Sequence, residues 1–178
     1  KLGDVIPVPQ GTLHALGSGI EIIEPQIAGP TQSLEDGVTY PVRYYFPGYH
    51  REGASKELDL ARVREMNSSI WKKEPTRYVR KTSAVKIEKL PGGFEKKGMA
   101  VHRVTLSSGG QEKYDASKSY HVFVAIKGTP YVVMGGKKYQ VPKASPNGRM
   151  LLVPVSAGDF SVVSAGKSQL LDIFTPIG

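Results

Sequence analysis

Apolar and polar residues alternate in short bursts along most of this chain, and glycines cut the bursts apart. From Thr82 onward the pattern predicts strands over 84–90, 99–107, 119–126, 129–134, 137–141, 149–154, 159–163 and 169–174. The breaks fall at Gly92-Gly93, Gly109-Gly110, Gly128, Gly135-Gly136, Asn147-Gly148, Gly158 and Gly166. Gly135-Gly136 is the strongest hairpin signal, because glycine enters the positive-φ positions of a two-residue turn at little cost. Many short strands with almost no helical period specify a β-sandwich or jelly roll. Val101, Val122, Val124, Ile126, Val132, Leu152, Val162 and Ile173 are the side chains expected to fill its core.

The front half reads differently. Strands are expected over 3–9 and 20–24, linked through Gly11, Gly17 and Gly19. Pro25, Gly29, Pro30 and Gly37 make 25–37 irregular, and Val38 to Phe46 is aromatic and extended, with Pro41 marking an edge or a break. Helical spacing is confined to 55–67, where Leu58, Ala61 and Met66 share a face widened by Leu60 and Val63. Ser55 can cap that helix, Glu57 suits its first turn, and Asn67 to Ser69 can end it. The expected organisation is a β segment over 1–46, a linker with this helix over 47–81, and a terminal β-domain over 82–178.

Composition narrows the chemistry. A chain of 178 residues can bury one good core, or a complete domain plus part of another. No apolar run approaches the roughly 18 residues of a membrane helix, and the first residues lack the basic start and apolar stretch of a signal peptide. With 0 cysteines there is no disulfide framework and no thiolate metal site, so a tight metal site has to use histidine and carboxylate. A cytoplasmic location is the expectation. The formal charge of +8 raises nucleic acid as a partner, but the cations are scattered and follow no recognition-helix, zinc-finger or RNA-binding pattern. They read as a solvated surface, with attraction of phosphorylated small molecules as the functional alternative. Neither nucleic acid nor membrane is an expected partner.

The first residues carry the most specific pattern. Gly3-x5-Pro9-x-Gly11-x2-His14 places a histidine beside a tight turn between two strands. Imidazole nitrogen is a directional zinc donor, so His14 is a candidate metal ligand. Glu24 ends the next expected strand and can be a proton-transfer base, an orienting carboxylate or merely a strand end. Gln26 can contact sugar hydroxyls or be structural, and Arg43 can grip a phosphate through its two-pronged guanidinium or simply be solvated. His50 reads as a loop residue, and His102 and His121 as packing or surface residues. No glycine cluster continues as a phosphate-binding loop, and no serine sits in a nucleophile-elbow context.

The spacing from Gly3 to His14 resembles the second motif of the cupins. The longer run Pro9-Gln-Gly-Thr-Leu-His-Ala-Leu-Gly17, continuing to Glu24-Pro-Gln26, resembles type I mannose-6-phosphate isomerases. The specific likeness covers residues 3–26. It implies an all-β chain: a cupin or jelly-roll remnant, a helical connector and a carboxyl-terminal β-sandwich without a metal motif. It also implies a zinc-dependent aldose–ketose isomerisation of a phosphorylated hexose, mannose 6-phosphate to fructose 6-phosphate. His14 matches the later zinc-binding histidine, and the other donors would come from missing upstream polypeptide. Glu24 and Arg43 are the candidate catalytic residues and Gln26 the candidate sugar contact; no arginine occurs between His14 and Arg43. A homo-oligomer remains an option. The competing reading is a noncatalytic cupin-like protein that binds carbohydrate or regulates.

Overall fold

The computed structural model describes residues 4–8, 14, 16–27, 77–91, 98–145 and 149–176, and the backbone of 31–33, 39–41, 44–45 and 56–57. The chain divides into two compact units, Ile6–Lys72 and Lys73–Gly178 with Lys1–Val5.

In the smaller unit, β1 (Thr31–Ser33) pairs antiparallel with β2 (Thr39–Pro41), and β3 (Tyr44–Tyr45) pairs parallel with β4 (Lys56–Glu57). The segment between Pro25 and Gly37, expected to be irregular, therefore contains a short strand. Of the helix expected over 55–67, Lys56 and Glu57 are extended rather than helical, and the remainder lies outside the described residues. The strands expected over 3–9 and 20–24 do not form where they are described. Residues 4–8 and 20–24 belong to no strand, and Ile6, Ile20 and Ile22 stay 45–65% exposed. A strand is stabilised by its ladder and its buried face, and among the described residues this segment finds neither.

The larger unit is a two-sheet sandwich. Its strands are β5 (Arg77–Lys81), β6 (Val85–Lys89), β7 (Ala100–Leu106), β8 (Gln111–Asp115), β9 (His121–Lys127), β10 (Pro130–Met134), β11 (Lys137–Gln140), β12 (Leu151–Val153), β13 (Asp159–Ser164) and β14 (Ser168–Phe174). One sheet has the order β12-β9-β14-β7-β6-β5 and the other β11-β10-β13-β8, with every pairing antiparallel. Numbering the eight strands from β7 onward as 1 to 8, the sheets read 1-8-3-6 and 2-7-4-5. That interleaving of two Greek keys is a jelly roll, to which β5 and β6 add an edge hairpin. The all-β expectation holds. All eight strands foreseen beyond Thr82 form, while β5 and β8 were not foreseen.

Most strands of the sandwich have one covered face, whereas β5 and β11 are exposed throughout and are held by their ladders to β6 and β10. β13 alternates exposed or half-buried Asp159, Ser161 and Val163 with buried Phe160, Val162 and Ser164. The interior is filled by Val104, Leu106, Phe123, Ala125, Val132, Val153, Phe160, Val162 and Leu170, each at most 4% exposed. Of the core residues expected from sequence, Val132 and Val162 lie there. Val101, Val122, Val124, Leu152 and Ile173 share the opposite face of the six-stranded sheet, as the register Ile173↔Val122 and Ile173↔Val101 requires. On that face Leu152 is 58% exposed and Val124 only 5%. The error is one of parity: β9 is apolar on both faces, so alternation alone does not say which set points inward. The hairpin at Gly135-Gly136 forms as expected, with φ of 55° and 74° between β10 and β11.

Candidate functional site

The polar chemistry of the jelly roll gathers at one end, where β9 begins and β14 finishes. His121 and Asp172 face inward from neighbouring strands, their register set by the pairs Phe174↔His121 and Asp172↔Phe123. Nδ1 of His121 and Oδ1 of Asp172 are 2.8 Å apart, and the residues are 7% and 1% exposed. With the carboxylate ionised, the imidazole N–H is the donor. Burial pushes the Asp172 carboxyl above its ordinary range, and the imidazoles of His121 and His102 work against that push.

Aromatic rings enclose the pair. The His121 ring stacks on Phe123 at 5.8 Å and on Phe174 at 5.3 Å, and meets Tyr114 and Phe160 edge-on at 5.3 and 5.5 Å. Tyr114 stacks on Phe160 at 5.0 Å, and His102 meets the edge of Phe174 at 4.9 Å. The Tyr114 hydroxyl is buried with no hydrogen-bond partner, and burial followed by the nearby Asp172 and Glu112 carboxylates drives its pKa well up. Tyr114 therefore stays a neutral phenol. These rings pack around the pair and hold this end of the sandwich together.

At the side of the sandwich, Arg80 on β5 reaches across to Glu112 on β8 at 3.0 Å and ties the two sheets. A shallow depression of about 410 Å³ lies over this pair, lined also by Gln111 and Lys113. On the outer face of the larger sheet, Glu88 accepts from Arg103 Nε and Nη2 at 3.1 and 3.2 Å and lies 3.3 Å from Lys86. Burial alone would raise the Glu88 carboxyl, but the Arg103 guanidinium and then the Lys86 ammonium hold it below its ordinary value.

The residues singled out in the sequence lie in the smaller unit. His14, Glu24 and Gln26 are all exposed. Arg43 and His50 lie outside the described residues. Zinc, the metal implied by the resemblance, needs at least three protein donors. Among the described residues no three histidine, aspartate or glutamate side chains converge, so His14 is not joined there by the rest of a donor set. Of the packing and surface roles expected for His102 and His121, both take packing ones, and His121 also binds a buried carboxylate that the local pattern does not pair with it. Its signal was present: Asp172 interrupts the apolar run Leu170-Leu171-Asp172-Ile173-Phe174. A carboxylate in such a strand needs a buried partner.

No protein-family model matches the chain, and no curated protein matches it. Similar solved structures include the EutQ protein of Clostridium difficile, at 12% identity over 52% of this chain, with TM-score 0.43. The chain spans 62% of that EutQ chain. An RmlC-like cupin from Shewanella frigidimarina aligns at 16% identity over 62% of this chain and 93% of its own, with TM-score 0.46. KdgF from Halomonas aligns at 13% identity over 57% of this chain and 87% of its own, with TM-score 0.45. The chain is a jelly-roll β-sandwich protein on the strand order itself, the double-sheet architecture that cupins share. No described helix is long and apolar enough to cross a membrane.

Proposed function

We propose that this polypeptide belongs to an aldose–ketose isomerase acting on a phosphorylated hexose, converting mannose 6-phosphate to fructose 6-phosphate. The carrying observation is the run from Gly3 to Gln26, with its Gly-x5-Pro-x-Gly-x2-His spacing and the exposed side chains of His14, Glu24 and Gln26.

The chemistry asks for few groups. A base takes the proton from C2 of the open-chain aldose to give a cis-enediolate, the hydroxyl proton passes from O2 to O1, and the base returns its proton to C1 as the C2 oxygen becomes the ketone. Glu24 is assigned as that base and Gln26 as a hydrogen-bonding contact to the sugar hydroxyls. Arg43 is assigned to the phosphate, which a planar guanidinium can grip through two parallel bonds. His14 is assigned as a zinc ligand whose companion donors lie outside the described residues.

Turnover of mannose 6-phosphate by the intact, zinc-supplied protein tests this reading. Formation of fructose 6-phosphate is expected. A folded, zinc-loaded protein that binds the sugar phosphate without converting it would instead favour the noncatalytic carbohydrate-binding reading.

A further inference from the structure

Among the described residues the sandwich has four sheet edges, and three of them carry charge. β5 reads Arg-Tyr-Val-Arg-Lys with a register shift between Tyr78 and Arg80, β8 reads Gln-Glu-Lys-Tyr-Asp, and β11 reads Lys-Lys-Tyr-Gln. Charges and bulges of this kind keep an exposed edge from pairing with another chain. β12, Leu-Leu-Val, has neither. Among the described residues it pairs only with β9, and no ionisable side chain occurs from Met150 to Val155. Met150, Leu152 and Val155 are nevertheless 57%, 58% and 48% exposed.

We propose that the β12 edge is the interface of a two-fold homodimer, in which β12 of one copy pairs antiparallel with β12 of its partner. Such a contact requires a surface complementary to itself. With Leu152 on the axis, Leu151 lies opposite Val153 of the partner subunit, and apolar meets apolar along the strand. Arg149, three residues from the axis, is separated from its own copy by about 20 Å along the ladder, well beyond the screening length at physiological salt. The β11 edge fails the same requirement, because it would crowd four lysines into one four-residue ladder. Leu152 also fixes the register. It begins a row on the outer face, Leu152–Val122–Ile173–Val101, that the ladders align across β12, β9, β14 and β7. Pairing at Leu152 joins the rows of two copies into one apolar band. A one-residue slip would set Leu152 against Leu151 of the partner subunit, a residue packed on the core side. This interface is independent of the isomerase assignment, since none of its residues belongs to the smaller unit.

Sedimentation equilibrium of the intact protein between about 1 and about 200 μM tests the proposal. A wild-type dimer is expected. Leu152→Lys, which puts two ammonium groups on the axis, is expected to raise the dissociation constant by roughly tenfold or more. Val79→Lys, the same change at a 58% exposed residue of β5, is expected to leave it nearly unchanged. A second readout uses the absence of cysteine from the 178 residues. Residues opposed across an antiparallel pair have Cα atoms about 4.5–5.5 Å apart, within disulfide reach. Oxidised Leu152→Cys is therefore expected to give a covalent dimer, and Val79→Cys to stay largely monomeric under denaturing conditions. A wild type that remains monomeric at about 200 μM would overturn the proposal. So would a dimer that survives Leu152→Lys, equal weakening by Val79→Lys, or equal cross-linking of the two cysteine variants.

Discussion

His121 and Asp172 form a hydrogen bond of 2.8 Å inside the jelly roll, between strands that are adjacent in the sheet but 51 residues apart in sequence. Each is the other's reason for being buried. A lone carboxylate in that interior costs several kcal/mol, and the imidazole offsets part of the cost while the aromatic rings exclude water.

Removing one member should therefore cost more than substituting it. Asp172→Ala is expected to destabilise the protein by about 3 kcal/mol, and Asp172→Asn by about 1 kcal/mol, because the amide can still accept from the ring. Urea denaturation at neutral pH checks both values. Because burial raises the folded-state pKa of Asp172, its contribution is full below the unfolded value near 3.8 and is lost as pH rises through the folded value. Wild type should accordingly lose stability relative to Asp172→Asn across that interval. A difference that ran the other way would show that Asp172 is held as a stabilised anion.

Glu88 has the opposite sign. Its pKa is held below 4.5, so its stabilisation is present above the unfolded value and disappears as pH falls through the folded one. Arg103→Ala should cost about 2 kcal/mol, since it leaves a carboxylate that is only 5% exposed with Lys86 at 3.3 Å. Arg103→Lys should recover only about half of that loss, because an ammonium cannot make the two parallel bonds. Equal stability of the alanine variant and wild type in chemical denaturation would remove the pair from the account.

Zinc content separates the assigned ligand from the jelly-roll histidines. In the intact protein, His14→Ala is expected to lower bound zinc at least roughly tenfold, while His121→Ala and His102→Ala leave it unchanged in folded protein. Elemental analysis of dialysed samples gives the answer. Unaltered zinc in His14→Ala would take His14 out of the ligand set.

Much of the jelly roll was legible because its strands are short, apolar and closed by glycine turns, which is local information. What escaped depends on partners distant in sequence. β5 and β8 are polar strands, Arg-Tyr-Val-Arg-Lys and Gln-Glu-Lys-Tyr-Asp, held by neighbours and by Arg80–Glu112 rather than by apolar alternation. The parity of β9 was hidden because Val122 and Val124 are as apolar as Phe123 and Ala125. The pairing of His121 with Asp172 needs the β9–β14 register, which no local pattern contains. For the candidate site, His14 was legible through a spacing motif, Glu24 as the end of the next expected strand and Gln26 through the longer family resemblance, and the structure adds their exposure.

The most direct test of the central claim, that the sugar chemistry belongs to the Gly3–Gln26 run and not to the jelly-roll interior, is mannose 6-phosphate turnover by His14→Ala beside Asp172→Asn in the intact protein. Turnover should fall on the order of a hundredfold or more in His14→Ala and stay within about threefold of wild type in folded Asp172→Asn. Full turnover in His14→Ala, or its loss in a folded Asp172→Asn protein, would contradict the account.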